Sequence, residues 1–497
     1  MPKPSWLIPF VAFTGLCSIP ASASASASTP QVAGDASLLP SLTAAKYRAV
    51  GKLQAASSCT ATLVAGSDAP SSTAAALVLT AGHCVGGEFD ANEVWVDRAA
   101  RERWHFTPAY FRDNQAAHRD IAVDRVLYAT MKGVDVAVLR LQATYGELAA
   151  MGVRPLTLVT RPQSEGLPVE LVHVPVNGVA DDERFLRLSR CVAGGKASIF
   201  EGNRPWYWPT ASMTRCAGVA GGSSGAPVLL ADTAGVLGVM GTQVDPSLLG
   251  CGLNRPCEAT NGPAFSREGA NYFHPLMAVA NALRPDGGWD DSQLDKGDGV
   301  AIERSVRWTT RSQVSEGERT VPARWGLRIA DGTRWIRYKT GPAATLDCDV
   351  ADGYGVAMDA AAQPLDRLAV PSPEGVYAMC VIGRHDAGSA WQRAPHATRI
   401  LRQIDDTPPT AGPMIVPYGK TEDAWLVYGK NRSYETTRLE IKYGPRDATD
   451  CRSFEGYFVP RSFWETLPTA KGPWRFCARG WDDAGNASPL TERVFEK

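Results

Sequence analysis

The sequence lacks an excess of charge of either sign. Its 51 lysine and arginine residues face 52 aspartate and glutamate residues, which gives a formal net charge of −1 at pH 7. A protein that binds nucleic acid or an anionic lipid surface through its overall charge needs a surplus of positive residues. The composition therefore predicts no nucleic-acid partner, and local sites rather than net charge must define what the protein binds.

The sequence also lacks, beyond its first 30 residues, the run of about 18 apolar residues that a membrane span needs. The first 30 residues contain an apolar run from Trp6 to Cys17 and then repeated Ala-Ser steps, which is typical of a secretory signal peptide. We predict a signal peptide over residues 1–27 and a pro-segment or linker over residues 28–45. The mature protein is then expected to be secreted, extracellular or periplasmic, without a transmembrane anchor.

Cysteine pairs with the CxxC spacing of a zinc site are missing as well, so the sequence predicts neither a metal site nor a cofactor. The chain has 11 cysteines, and removal of Cys17 with the signal peptide leaves an even number, as expected for disulfides in an oxidising compartment. Their spacing predicts five local disulfides, which are Cys59–Cys84, Cys191–Cys216, Cys251–Cys257, Cys348–Cys380 and Cys451–Cys477.

Short β-rich runs, such as CTATLVA, AALVLTA, DVAVLRL and APVLL, recur through residues 46–285 between Gly, Pro, Asn and Asp. Strands this short, with little helical periodicity between them, predict antiparallel barrels or sandwiches. The segment HPLMAVANALRP, in which Pro275 can open a helix, predicts a helix that closes this domain. A polar stretch rich in Asp and Gly follows and predicts a linker over residues 286–305.

The C-terminal part of the sequence repeats itself. YKTGPAATLDC, which ends at Cys348, aligns with IKYGPRDATDC, which ends at Cys451, and CVIGRHDAGSA aligns with CARGWDDAGNA. Each repeat is β-patterned and has its own cysteine pair, which predicts tandem β-sandwich modules over residues 306–405 and 406–497. They resemble bacterial immunoglobulin-like or fibronectin-like modules, which implies either spacers or a binding function toward a cell-surface or matrix component.

Two motifs in the first domain carry groups suited to acid–base chemistry. The run ALVLTAGHC ends on His83, and the predicted disulfide of Cys84 would hold this histidine rigidly, as a general base requires. GVDVAVLRL places Asp135 at the start of an apolar strand, where a buried carboxylate needs a partner such as an imidazole N–H. Asp120 in HRDIAVDR is a rival, and Asp135 is favoured because its strand is longer.

A third motif, CAGVAGGSSGAPVLL, surrounds Ser224 with glycines that permit a tight turn with converging backbone N–H groups. The same letters fit the nucleophile elbow of α/β-hydrolases, with Ser223 as the nucleophile. That elbow needs a helix after the serine, and its acid and histidine follow the serine in the chain. Here a strand pattern follows, whereas His83 and Asp135 come first, so the motif favours Ser224 as the nucleophile.

LTAGHC, DVAVLRL and GSSGAP, in this order, resemble the trypsin and chymotrypsin-like serine proteases, especially their secreted bacterial members. The resemblance implies two β-barrels with the active site in the cleft between them. It implies that His83 is the general base, that Asp135 orients it and that Ser224 is the nucleophile. By the same resemblance, the oxyanion hole would consist of the N–H groups of Gly222 and Ser224, and the region around the P1 side chain would contain Gly218, Gly241 and Gln243.

The sequence departs from the family pattern at positions that concern activation and specificity. Most animal members carry Asp where this chain has Ser223, together with an Ile-Val-Gly-Gly N-terminus that is absent here, so activation by N-terminal insertion is not expected. Gly218 replaces the Asp with which trypsin-like members attract basic side chains, and Met240 replaces the histidine of glutamate-specific bacterial relatives. An uncharged P1 residue is therefore expected.

Together these features predict an all-β protein with a two-barrel chymotrypsin-like protease domain followed by two tandem β-sandwich modules. The predicted function is a secreted serine endopeptidase that hydrolyses protein or peptide substrates through an acyl-enzyme intermediate. The alternative is a catalytically silent protease-like scaffold whose Ig-like modules act in adhesion or binding. A chain ending near Asp286 is expected to fold and to hydrolyse small substrates, unless the modules pack over the cleft or assist folding.

Overall fold

The computed structural model describes residues 36–86, 89–160, 164–330, 332–432 and 434–496. The signal peptide predicted for residues 1–27 lies outside them. The strands of the N-terminal part are β1 (Ser37–Leu38), β2 (Val50–Gln54), β3 (Ser58–Ala65), β4 (Ala75–Thr80), β5 (Val94–Ala99), β6 (His105–Pro108), β7 (Ile121–Thr130), β8 (Val136–Thr144), β9 (Leu156–Thr157), β10 (Leu167–His173), β11 (Arg187–Glu201), β12 (Trp206–Thr214), β13 (Pro227–Leu230), β14 (Val236–Gln243), β15 (Cys257–Glu258) and β16 (Asn271–Pro275).

The C-terminal part continues with shorter strands. They are β17 (Ile302–Arg304), β18 (Thr309–Thr310), β19 (Gln313–Glu316), β20 (Arg319–Pro322), β21 (Leu327–Ile329), β22 (Trp335–Pro342), β23 (Met358–Asp359), β24 (Gly375–Arg384), β25 (Thr398–Ile404), β26 (Met414–Lys420), β27 (Ala424–Lys430), β28 (Arg438–Pro445), β29 (Glu465–Pro468), β30 (Trp474–Trp481) and β31 (Thr491–Phe495).

The first barrel is a closed antiparallel ring. Its neighbours follow the order β2, β6, β7, β8, β4 and β3, and β3 pairs back with β2. The strands are rich in valine, leucine and alanine, and β3 is buried along nearly its whole length, including Thr60 and Thr62. Because closure removes free sheet edges, the ring gives a rigid base for the loops at its ends.

The second barrel closes in the same way. Its strands follow the order β11, β10, β13, β14, β16 and β12, and β12 pairs back with β11. The short strand β1 adds to β11, so residues 36–38, which belong to the predicted pro-segment or linker, are paired with this barrel. These two rings confirm the predicted all-β fold class with a two-barrel domain.

Helices are few and short in the described residues. They are the α-helices α1 (Tyr145–Ala150) and α2 (Met277–Ala282), and single 3₁₀ turns. Thr144 and Glu147 form a capping box at the start of α1, and α2 is the helix predicted from HPLMAVANALRP. None of the described helices has the length and the apolar surface to cross a membrane.

The segment predicted as a linker packs against the first barrel. Leu294 is buried in the core that the barrels share, and the Asp295 carboxylate lies 2.5 Å from Lys132 Nζ in an almost fully buried ion pair. The segment then forms β17, which pairs with β21. Residues 286–305 thus contact both the barrels and the unit that follows. The assignment of residues 286–305 as a linker between two domains stays a prediction.

The two C-terminal units are both built from β-sheets. The first contains a five-stranded sheet in the order β18, β25, β24, β22 and β23, together with the pairs β17–β21 and β19–β20. The second contains the sheets β26–β27–β29 and β28–β30–β31, which enclose a core that includes Val427, Ile441 and Phe476. Their assignment as immunoglobulin-like modules stays a prediction.

The first C-terminal unit shares a hydrophobic core with the second barrel. Phe200 and Tyr207 from β11 and β12 pack in one buried cluster with Val376 and Leu401 from β24 and β25. The Tyr207 hydroxyl also donates a hydrogen bond of 2.7 Å to the Ala343 carbonyl. This contact has the composition of a domain interior, so the unit is an integral neighbour of the barrel.

The five cysteine pairs expected from the spacing are bonded in the structure. They are Cys59–Cys84, Cys191–Cys216, Cys251–Cys257, Cys348–Cys380 and Cys451–Cys477.

Candidate active site

His83 lies just beyond β4, in the 3₁₀ turn Gly82–Cys84. The disulfide of Cys84 to Cys59 ties this turn to β3. A Cβ atom on Gly82 would lie 2.3 Å from the Thr130 carbonyl oxygen, so no side chain fits there. The glycine therefore lets the turn pack directly on β7 and fixes the backbone of the histidine.

Asp135 directly precedes β8 and is only 1% exposed. Its Oδ2 lies 2.7 Å from His83 Nδ1, and its Oδ1 accepts the backbone N–H of His83 at 3.1 Å. Because a carboxylate can only accept, Nδ1 carries the proton and Nε2 is left free to accept one. This is the orientation that a general base requires.

The electrostatics of the pair favour charge separation. Burial alone raises the pKa of the Asp135 carboxyl, but the charge and the hydrogen bonds of His83 outweigh burial and hold that pKa below its usual range. Burial lowers the pKa of His83, whereas Asp135 and, more weakly, Glu201 raise it, and the net result is a raised pKa. An imidazolium at His83 is therefore stabilised where it would form.

Asp120, the rival acid, occupies a different place. Its carboxylate is 63% exposed, accepts a hydrogen bond from the Thr107 hydroxyl and lies near His105. Within the described residues it makes no contact with His83. The structure pairs His83 with Asp135, but the strand-length reason for that preference is wrong, because the strand after Asp120 has 10 residues and the strand after Asp135 has 9.

Ser224 lies in a glycine-rich turn held by the first barrel. Gly222 and Gly225 adopt φ values of +99° and +80°, which favour glycine. The Ser224 carbonyl accepts the Thr60 N–H at 2.9 Å, and the Thr60 hydroxyl donates to the Gly222 carbonyl at 2.8 Å. A residue of β3 thus positions the turn on both sides of the serine.

The backbone amides of Gly222 and Ser224 are available to a ligand. Across the described part of the chain, neither amide donates a hydrogen bond to another backbone or side-chain group. The carbonyl groups of both residues point instead toward Thr60. Two free amides on one turn, separated by that of Ser223, can stabilise a developing oxyanion, and their role as an oxyanion hole stays a prediction.

A buried histidine supports the turn from the second barrel. His173, at the end of β10, is 0% exposed, and its Nδ1 lies 2.7 Å from Ser223 Oγ. The Ser223 oxygen also accepts the Ala220 N–H at 3.1 Å. Burial lowers the pKa of His173 to about 3, so the ring is neutral at pH 7. Ser223 and His173 are thus joined by a hydrogen bond between two uncharged groups.

His274 of β16 approaches the Asp135 carboxylate from the second barrel. A Cβ atom on Gly241 would lie 2.4 Å from His274 Nε2 and 3.3 Å from Asp135 Oδ2, so the glycine leaves room for the imidazole. Burial lowers the pKa of His274 to about 4. A positive charge on His274 would lower the pKa of Asp135, but the ring is neutral at pH 7, and its buried Nε2 has no hydrogen-bond partner in the described residues.

A cleft of about 540 Å³ brings these groups together. His83 and Asp135 line it from the first barrel, and Ser224 lines it from the second. Of the residues expected around the P1 side chain, Gly241 and Gln243 also line the cleft. Gly218 is not among the residues that line the cleft. Its φ is +70°, and a Cβ atom placed on it would lie 2.5 Å from Ala36 Cβ and 3.8 Å from the His173 ring. The turn after Cys216 therefore packs against the segment that precedes β1.

Sequence reasoning missed several residues that contribute to this site. Thr60, His173, Glu201 and His274 reach it from four different strands. None lies in a short motif, although the two histidines and Glu201 are residue types that can take part in acid–base chemistry. Their contribution depends on strand pairing across barrels, which a local pattern does not encode.

Two groups of side chains in the described residues come close enough to hold a metal ion. The first consists of Cys59, His83 and Cys84, but both cysteines are used in a disulfide. The second includes Asp295, whose charge is already balanced by Lys132. Neither donor set suits a metal ion.

Comparison with protein families gives a match over part of the chain. Residues 59–239 match the family model of the trypsin-like peptidase domain. No curated protein matches the chain in sequence.

Among solved structures, similar chains include a thermostable serine protease, AL20, from an extremophilic microorganism, with 18% identity over 46% of this chain and 92% of that chain and a TM-score of 0.29. Neuropsin, a serine protease expressed in the limbic system of mouse brain, has 13% identity over 48% of this chain and 93% of its own, with a TM-score of 0.28. Human heparin binding protein has 14% identity over 50% and 92%, with a TM-score of 0.32.

Proposed function

We propose that this chain, which carries a trypsin-like peptidase domain over residues 59–239, is a secreted serine endopeptidase with a His83–Asp135–Ser224 triad. The observation that carries the proposal is the 2.7 Å contact between His83 Nδ1 and Asp135 Oδ2 in the cleft that Ser224 also lines. Nucleophile, base and orienting acid come from separate segments, and a purely structural role for all three would not require a shared cleft.

In this mechanism the Ser224 hydroxyl attacks the scissile carbonyl while His83 Nε2 takes its proton. Asp135 keeps the imidazole in the correct tautomer and stabilises the imidazolium. The oxyanion is bound by the amides of Gly222 and Ser224. His83 then protonates the leaving amine, and a water molecule activated by the same histidine hydrolyses the acyl-enzyme.

The proposed substrates are proteins and peptides. Gly241 and Gln243 line the wall where the P1 side chain would lie, and neither carries a charge. The two C-terminal units are proposed to bind a cell-surface or matrix component, which would raise the local concentration of substrate without taking part in the chemistry.

A fluorophosphonate probe tests the proposal on the full-length, processed protein. Covalent labelling is expected because such probes react with a serine only when a neighbouring base activates it. Ser224→Ala should abolish the labelling, and Ser223→Ala is the matched control, which should still be labelled at Ser224, although more slowly because its hydrogen bond to His173 is lost.

The absence of labelling in a folded protein with five intact disulfides would refute the enzyme and favour a silent scaffold whose C-terminal modules bind a partner. Labelling that persists in Ser224→Ala would refute the assignment of the nucleophile.

A further inference from the structure

Glu201 is a buried carboxylate within the catalytic cleft that the proposed chemistry does not use. It is the last residue of β11, directly before the turn to β12, and is 4% exposed. Its side chain lines the cleft together with Ser224 and Thr242. Its negative charge is close enough to raise the pKa of His83.

The hydrogen bonds of Glu201 are incomplete. Oε1 accepts the Asn254 N–H at 2.7 Å, whereas Oε2 has no hydrogen-bond partner in the described residues and is shielded from bulk water. Burial raises the pKa of this carboxyl to about 7, although the nearby Thr242 hydroxyl and the Asn254 amide partly offset the effect. An unpaired buried carboxylate oxygen destabilises a fold, so a ligand that completes its bonding would be favoured there.

The charged residues around the cleft favour a ligand that carries a positive charge. The acidic side chains of Asp135, Glu201 and Asp245 line it, and the only basic side chain on its described walls is that of His83. Asp135 is already paired with His83, and Asp245 accepts both the N–H and the hydroxyl of Ser247. Asp245 is also partly exposed to water, so Glu201 is the buried acid of the cleft that is left with an unpaired oxygen in the described residues.

The walls next to Glu201 suit a long side chain that ends in a charge. Trp206 is the cross-strand partner of Glu201 and its side chain is partly exposed where it lines the cleft, whereas Trp208, nearly parallel to it at a ring distance of 6.3 Å, is only 1% exposed. Aromatic faces pack against the methylene groups of lysine and arginine and attract their charged ends.

We propose that Glu201 is a specificity-determining residue that binds a lysine or arginine side chain of the peptide substrate. This rests on the proposed endopeptidase function. The subsite lies at the turn between β11 and β12, away from Gly218, where trypsin-like members carry their acid, so the basic residue need not be the P1 residue.

Matched peptide substrates test this inference. Four pairs of fluorogenic peptides would differ only by lysine or norleucine at one of the positions P1 to P4. For the wild type we expect kcat/KM to favour lysine by about tenfold or more at one position, the size of one charged contact of about 1.4 kcal/mol. Glu201→Gln should reduce this ratio to about one, and Asp232→Asn, which removes an exposed acid of the same barrel, should leave it unchanged.

Each outcome decides the inference. Equal hydrolysis of lysine and norleucine peptides at all four positions would overturn it, as would a preference that survives in Glu201→Gln or that is lost in Asp245→Asn instead. Equal losses for both members of a pair in Glu201→Gln would assign a merely structural role and also overturn it. Glu201→Asp keeps the charge and should keep part of the preference, which provides a second variant should the glutamine variant fold poorly.

Failure of the proposed function would look different. In that case no peptide of any pair would be hydrolysed, and the wild type would not react with a fluorophosphonate.

Discussion

At the scale of single residues, Asp135 shows how the site keeps a buried charge. An ionised carboxylate in a protein interior costs several kcal/mol unless it is paired and hydrogen-bonded. Both oxygens of Asp135 have such partners on His83, and the neutral His274 ring stands beside them. These two hydrogen bonds offset the free-energy cost of burying the charge, and they also fix the orientation of the His83 ring.

Replacement of the acid tests this orientation. Asp135→Asn should lower kcat by about 10⁴-fold, because an amide N–H facing Nδ1 would impose the wrong imidazole tautomer. Asp120→Asn should change kcat by less than about twofold, since its carboxylate is 63% exposed and contacts Thr107. Steady-state kinetics on one chromogenic ester would compare them, and the opposite order would exclude Asp135 as the orienting acid.

Single and double replacements of the other two members test whether they act as a unit. His83→Ala and Ser224→Ala should each reduce kcat by several orders of magnitude, and the double variant should be no worse than either single variant. Residual rates would be read from purified protein at high concentration. Additive losses would mean that the two side chains act in separate steps.

Glu201 links stability to pH. Burial raises the pKa of its carboxyl from 4.5 to about 7, so the folded state resists ionisation that the unfolded chain permits. The loss of folding free energy caused by ionising Glu201 is absent below pH 4.5, grows as the pH rises and reaches its full size above about pH 7. Glu201→Gln should therefore match the wild type near pH 4 and be more stable by about 3 kcal/mol at pH 8.

Thermal unfolding at these two pH values provides the measurement. An equal Tm difference at both pH values would show that the charge of Glu201 is not the cause. Glu147, an exposed acid in the capping box of α1, offers a control whose replacement should not produce the same pH dependence.

At the scale of elements, the turn of residues 222–225, which contains the proposed nucleophile Ser224, is held by two strands from different barrels. β3 holds it through Thr60, and β10 holds it through the hydrogen bond between His173 and Ser223. Both anchors are uncharged at neutral pH, so these two contacts do not depend on a charged pair.

His173→Leu should loosen this turn. The change removes the buried hydrogen bond to Ser223 and the longer 3.4 Å contact to Ser189 at similar side-chain volume, and we expect kcat/KM to fall by about tenfold. Ser223→Ala removes the same bond, so the double variant should lose little more than the worse single variant. The rate of fluorophosphonate labelling would report the turn directly, and a wild-type rate in His173→Leu would show that β3 alone positions the serine.

The sequence predicts the parts of the site that local turns form, but not the parts that strand pairing brings together. The turns around His83 and Ser224 are local, because glycines and one disulfide shape them within a few residues, and the motifs therefore reveal them. Glu201 and His173 reach the site only through barrel closure and the pairing of β11 with β10 and β12. No short-range pattern records such pairings, so these residues became candidates only in three dimensions.

At the scale of the whole molecule, the barrels and the first C-terminal unit are coupled. Phe200 and Tyr207 are almost fully buried, partly by Val376 and Leu401. The backbone N–H of Arg399 also donates to Asn92, and the Asn92 amide donates back to the Arg399 carbonyl, both at 2.8 Å. The sequence predicts separate modules because apolar residues that face a neighbouring unit look the same as those that face their own core.

Truncation tests this coupling, and the structure favours the view that the modules assist folding. A chain ending at residue 286 should lose more than about tenfold in ester hydrolysis or aggregate, because the faces of Phe200 and Tyr207 would be exposed to water. A chain ending at residue 406 keeps those contacts and should hydrolyse the ester at nearly the full-length rate. Full activity of the shorter chain would show that the barrels are self-sufficient.

The core that the second barrel shares with the first C-terminal unit cannot be completed until both have been synthesised. Tyr207 finds part of its packing only when Leu401 has been added, about 200 residues later. At about 5 to 20 residues per second, that interval lasts roughly 10 to 40 seconds on the ribosome. Throughout it the second barrel lacks a part of its interior, so the apolar faces of Phe200 and Tyr207 stay exposed to water and open to aggregation until β24 and β25 have been synthesised.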